Sequence, residues 1–469
     1  LSKGSYLVLG GMLFSMFFGA GNLILPPLVG LQAGTAYLPA MAGFLAAGIG
    51  LPVLAIVALA QCGSARALAG RVGPRFAAAF VALVYLTIGP FLAIPRTAST
   101  AFAMAKPLLP YGIDSAAATV AFSLAFFGVA FLLALHPGAL NRVMGRFSAP
   151  LLIVLIVVVV ASAVFAPVGA PASPVPPYDG NALSEGFIAG YQTTDLLAAL
   201  CFGIVVTVNA KALGARGPKP LTLAVSVAGV IAGVLMGVVY CGIGIVGVQM
   251  GTVSPGATNG AELLSVACQM HFGPAGAVLV AAIFLLACLN VCIALVSCCA
   301  EYFYEALPRF PLAAWAAVFA GSSCLVSLLG LDAILAFSVP LLNALYPPAI
   351  VLVLMGLFAK QVDRVPKAWA WTVGFTGAAS VLVVAGDLFF ADGQTLAAVL
   401  PFGSLGFGWV VPALAGAAIG TAISLAKRES AEGPPADARA SADRTDDEPA
   451  GPPAPPPKAR RARFADKDR

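Results

Sequence analysis

Apolar residues run along most of this chain in long continuous stretches, and polar residues collect in the short gaps between them. A stretch of about 19 apolar residues is long enough to cross about 30 Å of hydrocarbon as a helix. On that criterion the first 426 positions divide into roughly twelve spans, near 6–30, 37–61, 78–105, 115–136, 148–168, 187–210, 221–248, 274–300, 311–330, 334–358, 368–390 and 402–426. The stretches are continuous rather than alternating, which disfavours barrel strands, and only helices or closed barrels satisfy their backbone groups in lipid. From Lys427 onward the pattern changes to Pro, Ala and charge with almost no large apolar residue, which predicts a disordered extension over 427–469.

The polar gaps carry a direction. The gaps after even-numbered spans hold Arg66, Arg71, Arg75, Arg142, Arg146, Lys211, Arg216, Lys219, Arg309, Lys360, Arg364 and Lys367, whereas those after odd-numbered spans hold a single base, Lys106. The odd-numbered side instead carries Asp114, Asp179, Glu185, Glu262, Asp332, Asp387 and Asp392. Because cytoplasmic loops retain the basic residues, this asymmetry places both termini and the tail in the cytoplasm.

Composition agrees and narrows the classes. The 469 residues are 60% hydrophobic and 10% charged, against about a quarter charged in a soluble domain. The net charge of +5 says little about nucleic acid, since 10 of the 25 Lys and Arg lie in 427–469. The nine cysteines fall mostly inside apolar runs, without zinc spacing or paired CxxC motifs, and read as buried thiols. No phosphate-binding glycine loop is present, so no ATPase subunit is implied and an ion gradient must supply the energy.

Several positions inside the spans break the apolar rule. Span 1 contains Gly19-Ala20-Gly21-Asn22 and then Pro26-Pro27, and span 6 contains Thr193-Thr194-Asp195 and then Cys201-Phe202-Gly203. Glycine removes side-chain packing and proline removes a backbone donor, so both helices are expected to unwind near their middle. Unwound backbone at that depth is tolerated where it lines a cavity, and there it offers N–H groups to a carboxylate and carbonyls to a cation. The simpler alternative is close helix packing at Gly19 and Gly21. Phe147-Ser-Ala-Pro recurs as Phe337-Ser-Val-Pro 190 positions later, and Phe18-Gly19 as Phe202-Gly203 184 positions later. Units of five spans, related this way, would run inverted through the membrane.

Arg96 is the basic residue well inside a span, and Asp195 is an acid in the outer half of span 6. A charge at such depth costs a few kcal/mol, so each needs a partner or water. Arg96 is either an internal tie, a gate residue or a contact for a substrate carboxylate. Asp195 could pair with Arg96, hold a cation or an ammonium, or be wetted. Asn209, Asn290, Ser297, Asn343 and Tyr346 read as interhelical hydrogen-bonding groups. Glu301 and Glu305 read as snorkelling side chains at the inner end of span 8.

At these segments the sequence resembles the branched-chain amino acid:cation symporter family, the BrnQ-type carriers of bacteria. The resemblance rests on Phe17-Phe-Gly-Ala-Gly-Asn-Leu-Ile-Leu-Pro-Pro-Leu-Val-Gly-Leu-Gln-Ala-Gly34, Ile88-Gly-Pro-Phe-Leu-Ala-Ile-Pro-Arg-Thr-Ala98, Gly190-Tyr-Gln-Thr-Thr-Asp195 with Phe202-Gly-Ile204, Cys298-Cys-Ala-Glu-Tyr302, and Ser338-Val-Pro with Tyr346-Pro-Pro348. It covers residues 5 to about 426. It implies an all-α polytopic membrane protein of about twelve helices with a LeuT-type five-plus-five inverted repeat. Repeat one would span about 6–168 and repeat two about 187–358, with helices 1 and 6 broken and two extra C-terminal helices over 368–426. It further implies Na⁺-coupled, or H⁺-coupled, uptake of leucine, isoleucine and valine by a cell inner (plasma) membrane protein.

Carried over by position, the plan puts a substrate site between Gly19, Ala20, Gly21 and Asn22 of span 1 and Ala199, Leu200, Cys201, Phe202 and Gly203 of span 6. A sodium site would lie near Ser15 and Phe18 of span 1 and Asn290 of span 8. Where relatives commonly show threonine, this chain has Asn290 and Val291. Asn290 can offer an amide oxygen to a hard cation, whereas Val291 cannot. A passive channel would instead need a charged ring or an oligomeric filter, and a membrane enzyme would need clustered His, Asp or Glu; neither pattern is visible in the sequence.

Overall fold

The computed structural model describes residues 2–110, 115–136, 141–389 and 400–432. Asp114, Asp392 and the expected disordered tail from 433 onward lie outside the described residues. Among the described residues all regular structure is helical, and ten helices are long and apolar enough to cross a membrane.

The first crossing is split. Helix α1 (Lys3–Phe17) starts at Ser2, whose hydroxyl accepts from the Ser5 N–H at 3.2 Å, and α2 (Ala20–Ala33) follows after two non-helical residues. Phe18 and Gly19 are extended, and a Cβ on Gly19 would sit 2.7 Å from Val291 Cγ2, so only glycine fits the turn against its neighbour. The expected unwinding at Pro26-Pro27 does not occur, because both prolines lie inside α2. Carbonyls freed by proline in a membrane helix can be re-satisfied by neighbouring groups, which removes the reason for a break there.

Helices α3 (Tyr37–Leu45) and α4 (Leu51–Cys62) join through a wide turn at Ala46–Gly50. Helices α5 (Pro74–Leu86) and α6 (Ala93–Ala105) join through Thr87–Phe91, where Gly89 leaves helical geometry and Pro90 follows. That kink sets the direction of α6 and therefore of Arg96. Helices α7 (Ser115–Ala134) and α8 (Ala149–Phe165) complete the first half.

The second split crossing consists of α9 (Tyr178–Tyr191) and α10 (Asp195–Ala212). Its break falls at 192–194, where Thr194 adopts φ 69°. A β-branched residue there stores roughly 1–3 kcal/mol of backbone strain. The expected second breaker at Cys201-Phe202-Gly203 is instead continuous helix. Gly203 serves packing, since a Cβ would lie 2.9 Å from Leu59 Cδ1. Phe202-Gly203 therefore does not occupy the place in its crossing that Phe18-Gly19 occupies in the first.

The remaining helices longer than ten residues are α11 (Pro218–Gln249), α12 (Gly260–Phe272), α13 (Pro274–Ala306), α14 (Leu312–Ser327), α15 (Leu331–Leu357), α16 (Lys367–Phe389) and α17 (Val410–Glu432). The last continues through the first residues of the segment expected to be disordered. Glycines bring two of the half-helices into backbone contact with their neighbours: Gly30 of α2 abuts the Gly244 carbonyl of α11, and Gly186 of α9 abuts the Ala40 carbonyl of α3. Without a hydrophobic driving force in lipid, such close approach is what holds helices together. It seats α2 on α11 and α9 on α3.

Candidate functional site

The two breaks face each other. Between them lies a small cavity of about 20 Å³, lined by Gly19, Ala20, Gly21 and Asn22 from the first break and by Thr193, Thr194, Asp195 and Ala198 from the second. Arg96 and Thr97 of α6 and Val291 and Leu295 of α13 close its sides, and Met16 and Phe17 of α1 complete the apolar part. The N–H groups in the first turn of α2 have no carbonyl one turn back, so Ala20 and Gly21 present backbone donors and the positive end of a helix dipole there.

Asn22 ties the site together. Its Oδ1 accepts from the Gly19 N–H at 3.1 Å, which fixes the bend, and its Nδ2 donates to Asp195 Oδ2 at 2.6 Å and to the Tyr240 hydroxyl. Tyr240 of α11 in turn donates to Asp195 Oδ2 at 3.2 Å. An amide has one acceptor oxygen and two N–H donors, and this arrangement uses all three. Asp195 also opens α10, where a negative charge at a helix N-terminus is favourable. The next N–H, of Leu196, meets the Tyr346 hydroxyl at 3.4 Å.

Arg96 and Asp195 do not pair. Among the described residues the ion pair within 4 Å is Arg71–Asp363, far along the sequence from both. Arg96 Nη1 instead donates to the Gln192 carbonyl at 3.3 Å, and its Nη2 lies against Gly21. Arg96 is 9% exposed and Asp195 2%. A buried cation and a buried anion thus border one cavity without touching, and each keeps capacity for a ligand of opposite charge.

The expected ion ligands gather elsewhere. Ser15 Oγ donates to the Met144 carbonyl at 3.4 Å, and Asn290 Nδ2 donates to Ser148 Oγ at 2.6 Å. Met144 and Ser148 are one turn apart in the wide-turn segment Asn141–Ser148 that leads into α8, so Ser15 and Asn290 flank the same short stretch. At the end of α1 the Phe18 N–H takes the Phe14 carbonyl and the Gly19 N–H takes Asn22, which leaves the Ser15, Met16 and Phe17 carbonyls without backbone donors among the described residues. Carbonyl oxygens plus an amide oxygen suit a hard cation.

Of the expected span 6 residues, Ala199, Leu200, Cys201, Phe202 and Gly203 lie one to two turns beyond the break. Phe202 packs edge-on to Phe17 at 5.1 Å between ring centres, and the Cys201 carbonyl accepts from the Tyr85 hydroxyl at 3.2 Å. Leu200 lines a different cavity of about 310 Å³, bordered by Arg66, Tyr85, Lys211, Tyr302 and Glu305 at the end that carries the basic loops. Sequence reasoning missed Tyr240 as a site residue.

Comparison with known proteins gives a consistent result. The profile of the family described as branched-chain amino acid transport protein matches residues 2–427. The branched-chain amino acid permease BraB of Bacillus subtilis is 35% identical over 89% of this chain and 95% of that protein. BrnQ of Corynebacterium glutamicum is 38% identical over 92% and 99% respectively. The branched-chain amino acid transport system 3 carrier protein of Pseudomonas aeruginosa is 37% identical over 87% and 93%. Among solved structures, a nucleobase-cation-symport-1 family transporter in a closed conformation with bromovinylhydantoin bound shares the fold at TM-score 0.61, with 15% identity over 89% of this chain and 91% of that one. MhsT in complex with L-phenylalanine shares it at TM-score 0.51, with 16% identity over 90% and 98%.

Proposed function

The chain belongs to the branched-chain amino acid transport protein family, and from that premise we propose that it is a cation-coupled carrier of leucine, isoleucine and valine working by alternating access. The observation that carries this reading is the small cavity between two broken helices, bordered by an Arg96 and an Asp195 that do not touch. A zwitterion is the ligand that answers both charges. Its carboxylate is received by Arg96 and by the free N–H groups of Ala20 and Gly21, and its ammonium by Asp195 and the oxygen atoms of Thr193 and Thr194. Met16, Phe17, Ala198, Val291 and Leu295 offer a branched aliphatic side chain an apolar wall, and a polar side chain would find few partners there.

Sodium is the proposed coupling ion, held by the freed carbonyls at the end of α1 with the Asn290 amide oxygen. A proton is the second reading. Asp195 favours it, as a buried carboxylate with no cation within 4 Å among the described residues. Counting α1–α2, α3–α4, α5–α6 and α9–α10 each as one crossing, and leaving out the short α12, gives twelve crossings, the number expected for a five-plus-five repeat with two extra helices. The basic loops then face the cytoplasm of the plasma membrane, with both termini on that side. The cavity around Arg66 and Lys211 is the release path.

Uptake of labelled leucine into proteoliposomes, under separately imposed Na⁺ and H⁺ gradients, tests the reading. Accumulation should follow one of the two gradients. Equal downhill flux that ignores both would overturn symport.

A further inference from the structure

Helix α16 begins beside a cluster of groups that joins it to a distant part of the chain. Trp369, in its first turn, donates the indole N–H to Asp363 Oδ1 at 3.0 Å, and Asp363 lies in the turn between α15 and α16. The same carboxylate accepts from Arg71 Nε at 3.1 Å and 3.4 Å, while the Arg71 guanidinium lies 5.5 Å from the centre of the Trp369 ring. One planar cation is gripped by a carboxylate at its edge and an indole at its face. The indole side of the grip is fixed, since Trp369 is 1% exposed and α17 packs on the same turn of α16. Gly420 of α17 abuts Ala368, and Ser424 Oγ accepts from the Lys367 N–H at 3.0 Å.

Arg71 belongs to the segment 63–73 that follows α4. The first residues of that segment, Gly63 to Arg66, line the cavity of about 310 Å³ at the end that carries the basic loops. Gly63 has φ 93°, and a Cβ added there would meet nothing within 4 Å, so the segment leaves α4 through a turn that nothing crowds. Its short helix Ala65–Gly70 sets Leu68 against the end of α15, where a Cβ on Gly356 would lie 2.7 Å from Leu68 Cδ1. The Arg71 and Asp363 side chains are 26% and 47% exposed. Water and salt screen such a pair, which makes it weak enough to break and re-form within a transport cycle.

Resting on the reading of that cavity as the release path, we propose that α16 and α17 are a clamp on it: they hold segment 63–73 at the inner mouth through Arg71, and the amino acid leaves when that grip opens. Trp369, backed by α17, is the fixed jaw. Gly63 is the turn about which the segment swings, and Leu68 on Gly356 is the apolar contact remade on closing. The last two helices then act on the cycle although neither lines the central cavity.

The test follows release of bound labelled leucine, on dilution, from the purified full-length chain in detergent. Arg71→Gln and Asp363→Asn should each speed release about three- to fivefold with the leucine Kd unchanged, because a gate alters entry and exit alike. The double variant should release no faster than either single variant, since both remove one contact. In wild type, raising potassium chloride about tenfold should speed release toward the rate of the variants, and this arm decides the matter if the variants fail to fold. Thr207→Cys, in the cavity wall, reports the mouth directly: a bulky hydrophilic thiol reagent should label it faster by the same factor once Arg71→Gln is added. Release that is unchanged or slower, a Kd that moves with the rate, additive single variants, or a wild-type rate indifferent to salt would each overturn the clamp and leave the carrier reading standing. A Thr207→Cys that stays unlabelled in every form would overturn the release path as well, and no leucine bound to wild type would overturn the carrier reading itself.

Discussion

Replacing Asn22 by alanine removes the residue that both fixes the first break and holds Asp195. Three hydrogen bonds disappear: one from the Gly19 N–H, one to a carboxylate and one to Tyr240. A hydrogen bond to a charged group contributes about 1.5–3 kcal/mol, and a buried donor left unpaired costs about 1–3 kcal/mol. Part of this falls on folding, since the bonds exist without substrate. The rest falls on binding, because the α2 N-terminus and Asp195 must hold their positions to receive the two ends of a zwitterion. At about 1.4 kcal/mol per tenfold, losing half of the total raises the leucine KM roughly 10- to 100-fold. Initial uptake rates in proteoliposomes measure it, with thermal melting of the detergent-purified chain reporting the folding share. An unchanged KM together with an unchanged melting point would refute the assignment of Asn22 to the site.

Arg96→Gln removes the cation proposed to face the substrate carboxylate while keeping a donor; leucine affinity should fall at least about tenfold, and leucinamide, which lacks the carboxylate, should lose much less. Equal losses for both ligands would show that Arg96 only ties the fold to the Gln192 carbonyl. Gly19→Ala places a methyl 2.7 Å from Val291 Cγ2, so transport should collapse and the Gly19→Ala/Val291→Ala double variant should recover part of it. No recovery would mean that the turn itself, rather than the close contact, requires glycine. Asn290→Ala should raise the sodium concentration for half-maximal uptake several-fold with little change in leucine affinity at saturating sodium, and an unaltered sodium curve would exclude Asn290 as a ligand.

The first break was legible in the sequence because it is local: Gly19, Gly21 and a side-chain amide three positions on suffice to close a bend. The adjoining prolines misled, since a missing N–H inside a packed membrane helix removes one bond without ending the helix. The second break was displaced for a different reason. Gly203 suggested unwinding but is small to admit Leu59, while the real bend falls on Thr194, a residue type that ordinarily avoids positive φ. Hydroxyl bonds from Thr193 to the Gly190 carbonyl at 2.9 Å and from Thr194 to the Thr193 carbonyl at 2.5 Å hold that conformation. Tyr240 lay beyond any local signal, since it meets Asn22 across 218 positions and only the seating of α2 on α11 joins them. Arg96 and Asp195 were visible as charges out of place, but their failure to touch is a tertiary fact, and it moves the reading from a gate pair toward a divided binding site.

Charge balance at that divided site limits what electrical measurements can reveal. Arg96 and Asp195 together carry no net charge when both are ionised, and a zwitterion adds none. Loading one Na⁺ at the end of α1 makes the moving complex one unit positive. Loading one proton on Asp195 does the same, because it leaves Arg96 as the uncompensated charge. Both couplings are therefore electrogenic by one charge per amino acid, and an inside-negative potential drives both with about 2.3 kcal/mol per 100 mV. A current or a potential-driven uptake establishes coupling but cannot name the ion. The structures of the two candidate sites can: Asn290 contributes only to the first and Asp195 titrates only in the second. Sodium-free, potential-driven uptake that is unaffected by Asn290→Ala would assign the proton, and sodium-dependent uptake whose half-saturating sodium concentration rises in Asn290→Ala would assign the metal ion; Asp195→Asn does not separate the two, because Asp195 also receives the ammonium.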